Sequence, residues 1–180
     1  MGVRRLAETC AANPDLLRQH PLYLLSLIYK QRFETWSRWI SLLWKQVNDI
    51  ETVTKMTSET WRQCKMSNEQ RDMLQDTEKL LTFMHSTHAE ICHGDFVMMF
   101  ARKLGVFCPK VLKALETARK DQGIPPLSRK HRSALEEEIG FTATRCDAMR
   151  DRLLEMRQRL NGQIQVVSGD RLLHLIARSN

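Results

Sequence analysis

A chain of 180 residues with 42% hydrophobic content is long enough to bury a core, and its formal charge of +7 gives a surface that attracts phosphates and anionic lipid headgroups. Only seven glycines and five prolines, with no alternation of polar and apolar residues, exclude a turn-rich all-β chain. Five cysteines, Cys10, Cys64, Cys92, Cys108 and Cys146, stand singly without a C-x-x-C pair, which fits a reducing, cytoplasmic location better than a disulfide framework. The longest apolar run, Leu22 to Ile28, is interrupted by Ser26 and falls far short of the ~18 residues a membrane span needs. The N-terminus has no secretory hydrophobic segment, so the chain is expected in solution.

Residues 1–19 read as an N-terminal extension: a short helical pattern from Val3 to Ala12, a break at Asn13-Pro14, and a further turn from Asp15 to Gln19. At His20-Pro21 a helical bundle begins that is expected to fill residues 20–180. Proline suits the first helical position, and Leu22, Leu25, Tyr29, Phe33, Trp36, Ile40, Leu43, Val47 and Ile50 follow at spacings of three and four, which predicts a helix over about 21–56. An aromatic stripe at that spacing is read as core rather than as a ligand platform. The polar stretch Thr57 to Asn68 reads as a connection.

A second helix is predicted over about 68–104, with Asn68 as N-cap and Met73, Leu74, Leu80, Leu81, Met84, Ile91, Phe96, Met99 and Phe100 as its apolar residues. Gly94 is a candidate interruption, and Gly105 after Arg102-Lys103 is a candidate C-terminal stop. A third, shorter helix is predicted over about 110–120 after Pro109, ended by Gln122-Gly123 and the Pro125-Pro126 loop.

The last helix, about 128–178, organises the chain. Ser128 is its predicted N-cap, and no proline follows, so nearly fifty residues at about 1.5 Å each would reach roughly 75 Å. Leu135, Ile139, Cys146, Met149, Leu153, Met156, Leu160, Ile164 and Val167 recur with a near-heptad period, and such a stripe needs partners. Leu153, Leu160, Ile164 and Val167 are the expected interface for self-association. Gly140, Gly162 and Gly169 weaken the helix by about 1 kcal/mol each relative to alanine, either as tolerated glycines or, near Gly162, as a kink or close approach. The run Glu136-Glu137-Glu138 is read as serving the positive end of this helix. The helix's arginines alternate with carboxylates, which reads as a solvated face of i,i+4 pairs and ranks nucleic acid last among partners. The fold class that follows is all-α: an elongated antiparallel three-helix bundle with a long C-terminal stalk helix.

Little of this carries chemistry. His85, His88 and Cys92 lie at i, i+3 and i+7, on one helix face, but a fourth ligand is lacking and the expected metal content is none. No phosphate-binding glycine loop, nucleophile elbow or H-E-x-x-H occurs, so the expectation is a non-enzymatic domain without a cofactor.

Three phrases are similar to the cytosolic helical region of the fungal branch of CorA-like divalent-cation transporters. They are His20-Pro21-Leu22 opening a long helix, Leu80-Leu81 to His85, and a third helix that begins near Leu135-Glu136-Glu137-Glu138 and carries the most specific piece, the tail from Arg159 through Gln163-Ile164 to Leu175-Ile176-Ala177. The resemblance covers about residues 19–180 and implies two antiparallel helices packed on a stalk that associates around a magnesium-conducting pore. The spanning helices and the Gly-Met-Asn loop of that family have no counterpart in these 180 residues, and Asn180 stands where the family often has aspartate. The resemblance therefore implies a domain that supports or gates a pore outside this chain, on the cytosolic side of a membrane. The alternative is a free-standing helical interaction module without an ion response.

Overall fold

A computed structural model describes residues 2–12, 14–54 and 76–179, and the elements it contains are helices: α1 (Gly2–Ala12), α2 (Pro14–Gln19), α3 (Leu22–Thr54), α4 (Thr77–Asp121) and α5 (Arg129–Ser179). Among the described residues there is no strand. The predicted connection over Thr57 to Asn68, the Asn68 cap, Cys64, Met73 and Leu74 lie outside the described residues.

The helix ends follow local chemistry. Buried His20 starts α3: its Nδ1 accepts the Leu22 N–H at 3.1 Å and its carbonyl accepts the Tyr23 N–H at 3.2 Å. α4 is capped by Asp76, whose carboxylate accepts the Glu78 N–H at 3.0 Å and is held below the usual carboxylate range chiefly by that bond. It ends where Gly123 takes a φ of +70°, the left-handed conformation glycine adopts without strain. There the Ile124 N–H reaches the Arg119 carbonyl at 2.9 Å and the Gly123 N–H that of Lys120 at 3.0 Å, a Schellman closure. Ser128 caps α5 as predicted, its Oγ accepting the His131 N–H at 3.3 Å.

The two helices expected over 68–104 and 110–120 are one. α4 runs through Gly94, Gly105 and Pro109 without a break. Pro109 removes the N–H that would bond the carbonyl of residue 105, and glycine at that position presents the least bulk to the ring. What decides the continuity is packing, because α4 carries an unbroken seam of buried residues at Leu80, Met84, Thr87, Ile91, Gly94, Met98, Ala101, Gly105, Cys108 and Leu112. The spacing alternates four and three throughout, a heptad register. Phe96 and Phe100, expected in the core, are each 60% exposed, since a residue two positions beyond a seam residue points to the far side of the helix.

The same register runs along the other two long helices. α3 buries Leu22, Ser26, Tyr29, Phe33, Ile40, Leu43, Val47 and Ile50. α5 buries Leu135, Ile139, Thr142, Cys146, Leu153, Met156, Leu160 and Gln163.

The chain divides into two compact units, and each long helix gives a segment to both. The first comprises Met1–Ser37 and Val97–Arg150. Within it, Tyr23 donates to the His131 carbonyl at 3.3 Å, Ser26 to Glu138 at 3.2 Å, and Tyr29 lies 3.6 Å from the Cys146 sulfur, so α3 and α5 run in the same direction. α4 runs against them, with Gly105 at Ala143 and Arg102 2.7 Å from Asp147. The second unit comprises Arg38–Phe96 and Asp151–Asn180, and in it Trp39 meets His93 edge-on at 5.9 Å while Gly94 packs on Leu153.

Candidate functional site

The apolar stripe expected to face a second copy is divided by the fold. Leu153 and Leu160 have no exposed surface and pack inside the chain's own second unit, while Ile164 and Val167 are half-buried. The surface of Leu153 and Leu160 is thus already covered by neighbours within the chain.

Beside Leu160 lies the most developed polar cluster of this unit. Arg159 spreads its guanidinium over Glu51, with Nε 2.7 Å from one carboxylate oxygen and Nη2 2.6 Å from the other, and Nη2 also donates to the Asn48 side chain at 2.8 Å. This two-pronged geometry is the arrangement in which a carboxylate and an arginine bind best. The hydrogen bonds to Glu51 raise the Arg159 pKa, so the guanidinium stays charged. The plane also lies 4.6 Å from the centre of the Trp44 ring, which Arg152 approaches at 5.6 Å, and one turn beyond Glu51 the Thr54 hydroxyl bonds Gln163.

The solvated-face reading of the arginines holds for Arg132, paired with Glu136 at 3.1 Å one turn away. Arg159 also keeps an i,i+4 partner, Glu155 at 3.7 Å, but is drawn across to Glu51, and exposed Arg145 sits 4.4 Å over the Phe33 ring in the first unit. Arg159 and Glu51 are 108 positions apart, but each adjoins a seam residue, Leu160 and Ile50. Opposite charges flanking two apolar seams were the available signal.

In the first unit, the element that sequence reading passed over is His20. Its side chain is fully buried, its Nδ1 is committed to the α3 backbone, and its Nε2 faces the Glu116 carboxylate at 3.4 Å. Glu116 also accepts the Leu127 N–H at 3.2 Å, and Arg119, 4.0 Å from the same carboxylate, donates to the Pro125 carbonyl at 2.9 Å. Burial lowers the His20 pKa against the opposing pull of Glu116, so the ring is neutral at neutral pH. The cluster pins the start of α3 to the loop between α4 and α5.

The histidines of α4 do not converge. His88 Nδ1 lies 3.9 Å from the Cys92 sulfur, but His85 is exposed and His93 turns to Trp39. Among the described residues no group of three or more His, Cys, Asp or Glu side chains is placed to hold a metal ion. Burial, with help from Arg157, lowers the His88 pKa. The thiols of Cys108 and Cys146 are buried, which raises their pKa and keeps them in the protonated, weakly nucleophilic form at neutral pH. Burial likewise pushes the Tyr29 phenol far above its ordinary value.

The acidic run does not serve the positive end of α5, whose first turn contains no carboxylate. Glu136 pairs with Arg132, Glu137 accepts the Ser133 hydroxyl at 2.9 Å, and Glu138 reaches Ser26 and Lys30 on α3. Those residues are too far along for a dipole effect that fades within one turn. Among the described residues no helix is long and apolar enough to cross a membrane. The chain matches no known protein family, no curated protein and no solved structure with which it was compared.

Proposed function

We propose that the chain is a non-enzymatic helical scaffold, an elongated antiparallel three-helix bundle in which α5 is a stalk held along α3 and α4. Its role on this reading is that implied by the resemblance to fungal CorA-like transporters: to support or gate a magnesium-conducting pore outside these 180 residues, from the cytosolic side of a membrane. The observation that carries it is α5 itself, 51 residues of continuous helix with a heptad seam buried from Leu135 to Gln163 and an ionic clamp to α3.

The test is the molar mass of the chain by light scattering, with excess magnesium and with chelator. A closed oligomer, or a mass that shifts with magnesium, supports the scaffold of a pore. A monomer indifferent to the ion refutes it. One observation favours a second reading, the free-standing interaction module: Phe100, Phe107 and Phe141 in the first unit are 54–65% exposed, more apolar ring surface than a helix face needs for solvation. On that reading the stable species is a monomer or dimer that buries those rings against a protein partner.

A further inference from the structure

Where α4 ends and α5 begins, positive charge accumulates around a cavity of about 400 Å³ lined by Lys113, Glu116, Thr117, Lys120, Pro126 and Arg132. Lys113, Glu116, Thr117 and Lys120 are one stripe of α4, at i, i+3, i+4 and i+7, so the two ammonium groups stand about two turns apart on the same face. Arg132 enters from the first turns of α5. It spends its Nε on Glu136 at 3.1 Å, and the terminal nitrogens of the fork are the ones available to an anion.

The single carboxylate of the lining is engaged elsewhere. Glu116 accepts the Leu127 N–H and faces His20, with Arg119 4.0 Å away. Its charge is directed into the fold, which leaves the cavity dominated by cations.

A second feature acts in the same direction. The N-terminus of α5 carries the positive end of a 51-residue helix, and its first turn holds Arg129, Lys130 and Arg132 but no acidic residue. Helices ordinarily offset that end with Asp or Glu, so here its field adds to the local positive charge. The cavity is within the usual size range of ligand pockets, and Pro126 with the methylene stems of the lysines gives it apolar walls for whatever the anion is attached to.

We propose that this cavity is a binding site for a phosphate-bearing ligand. Lys113 and Lys120 supply point charges and Arg132 a directional fork. Two or more cations around one anion suit a group that carries more than one negative charge, which distinguishes phosphate from a lone carboxylate. The same chemistry serves a lipid headgroup or a soluble phosphate compound. The site is independent of whether α5 is the stalk of a pore.

The experiment uses the full chain, with inorganic pyrophosphate as the soluble probe and vesicles of phosphatidylcholine containing phosphatidylinositol phosphate as the lipid probe. Vesicles made anionic to the same degree with phosphatidylserine are the comparison. The variant is Lys113→Gln with Lys120→Gln, both exposed, beside Lys45→Gln on the second unit as a control for general charge. The expected result is saturable binding of one probe, weakened by about tenfold or more in the double variant and unchanged in the control. Calorimetric binding of pyrophosphate without phosphoinositide-specific sedimentation assigns a soluble ligand. Preference for phosphoinositide over phosphatidylserine vesicles, competed by pyrophosphate, assigns a headgroup. No saturable binding of either probe overturns the proposal, as does binding that the double variant, folded by circular dichroism, retains in full.

Discussion

Gly105→Ala is the substitution on which packing and helix propensity disagree most. Alanine in a helix interior is better than glycine by about 1 kcal/mol, so propensity alone predicts stabilisation. In the folded chain an added Cβ would stand 2.8 Å from the Ala143 Cβ and 2.9 Å from the Tyr29 hydroxyl oxygen. Carbon atoms in contact prefer about 3.5–4 Å, so roughly 1 Å must be found. Ala143 cannot turn aside, because its Cβ is fixed to the backbone. Tyr29 is buried and its hydroxyl donates to the Ala101 carbonyl at 2.9 Å, so moving the ring puts a buried hydrogen bond at risk. Overpacking of this kind costs about 1–3 kcal/mol and a weakened buried hydrogen bond about 1 more, which outweighs the propensity gain. The expected net effect is a loss of about 1–3 kcal/mol, or a Tm lower by about 2–4 °C per kcal/mol for a chain of this size. Gly140→Ala is the control, since nothing lies within 4 Å of its added Cβ, and it should stabilise by about 1 kcal/mol. Urea denaturation of both variants gives the comparison. If Gly105→Ala stabilises as much as Gly140→Ala, the close approach of α4 to α3 and α5 at this level is wrong.

Arg159→Met should lose about 2–3 kcal/mol in urea denaturation, because Glu51, only 10% exposed, is left charged without its fork; adding Glu51→Met should recover much of the loss. Leu160→Asp should disrupt packing severely, as an unpaired charge at a fully buried position does, whereas Arg157→Asp on the exposed face should change stability by about 0.5 kcal/mol or less; equal effects by circular dichroism and melting would misplace the seam. His20 gives a pH signature: burial lowers its folded pKa below the unfolded value, so the unfolded chain takes the proton first. Its contribution is full above about pH 6.5 and is lost as the pH falls through the folded value, and His20→Asn, which keeps a cap acceptor, should flatten the urea midpoint over that window. Asp49, 6% exposed and raised in pKa by burial, opposes folding while ionised, so Asp49→Asn should stabilise at neutral pH and lose that advantage as the pH falls through the folded pKa.

The stripes of α3 and α5 were legible because large apolar residues occupy most of their seam positions: Tyr29, Phe33, Ile40, Leu43, Val47 and Ile50 in one, Leu135, Ile139, Leu153, Met156 and Leu160 in the other. The seam of α4 was legible only at Leu80, Met84 and Ile91, since Thr87, Gly94, Ala101, Gly105 and Cys108 sit where the pattern asks for large side chains, while the conspicuous Phe96 and Phe100 face away. Gly105, in sequence a helix stop, is in structure a point of close approach to Tyr29 of α3 and Ala143 of α5. Gly162, in sequence a candidate for a kink or close approach, is open: a Cβ added there would meet no other part of the fold within 4 Å.

The sequence by itself determined the helical class, the start of α5 at Ser128 and the stop at Gly123, because caps, turns and heptad spacing act over a few residues. Only the tertiary structure decided that α4 is one helix through Pro109, that Leu153 and Leu160 face inward, and that Arg159 finds Glu51, and His20 Glu116, about a hundred positions away. Small residues permit close packing without announcing it in a periodic pattern, and opposite charges pair at any separation in the chain. Both outcomes depend on which surfaces the fold brings together.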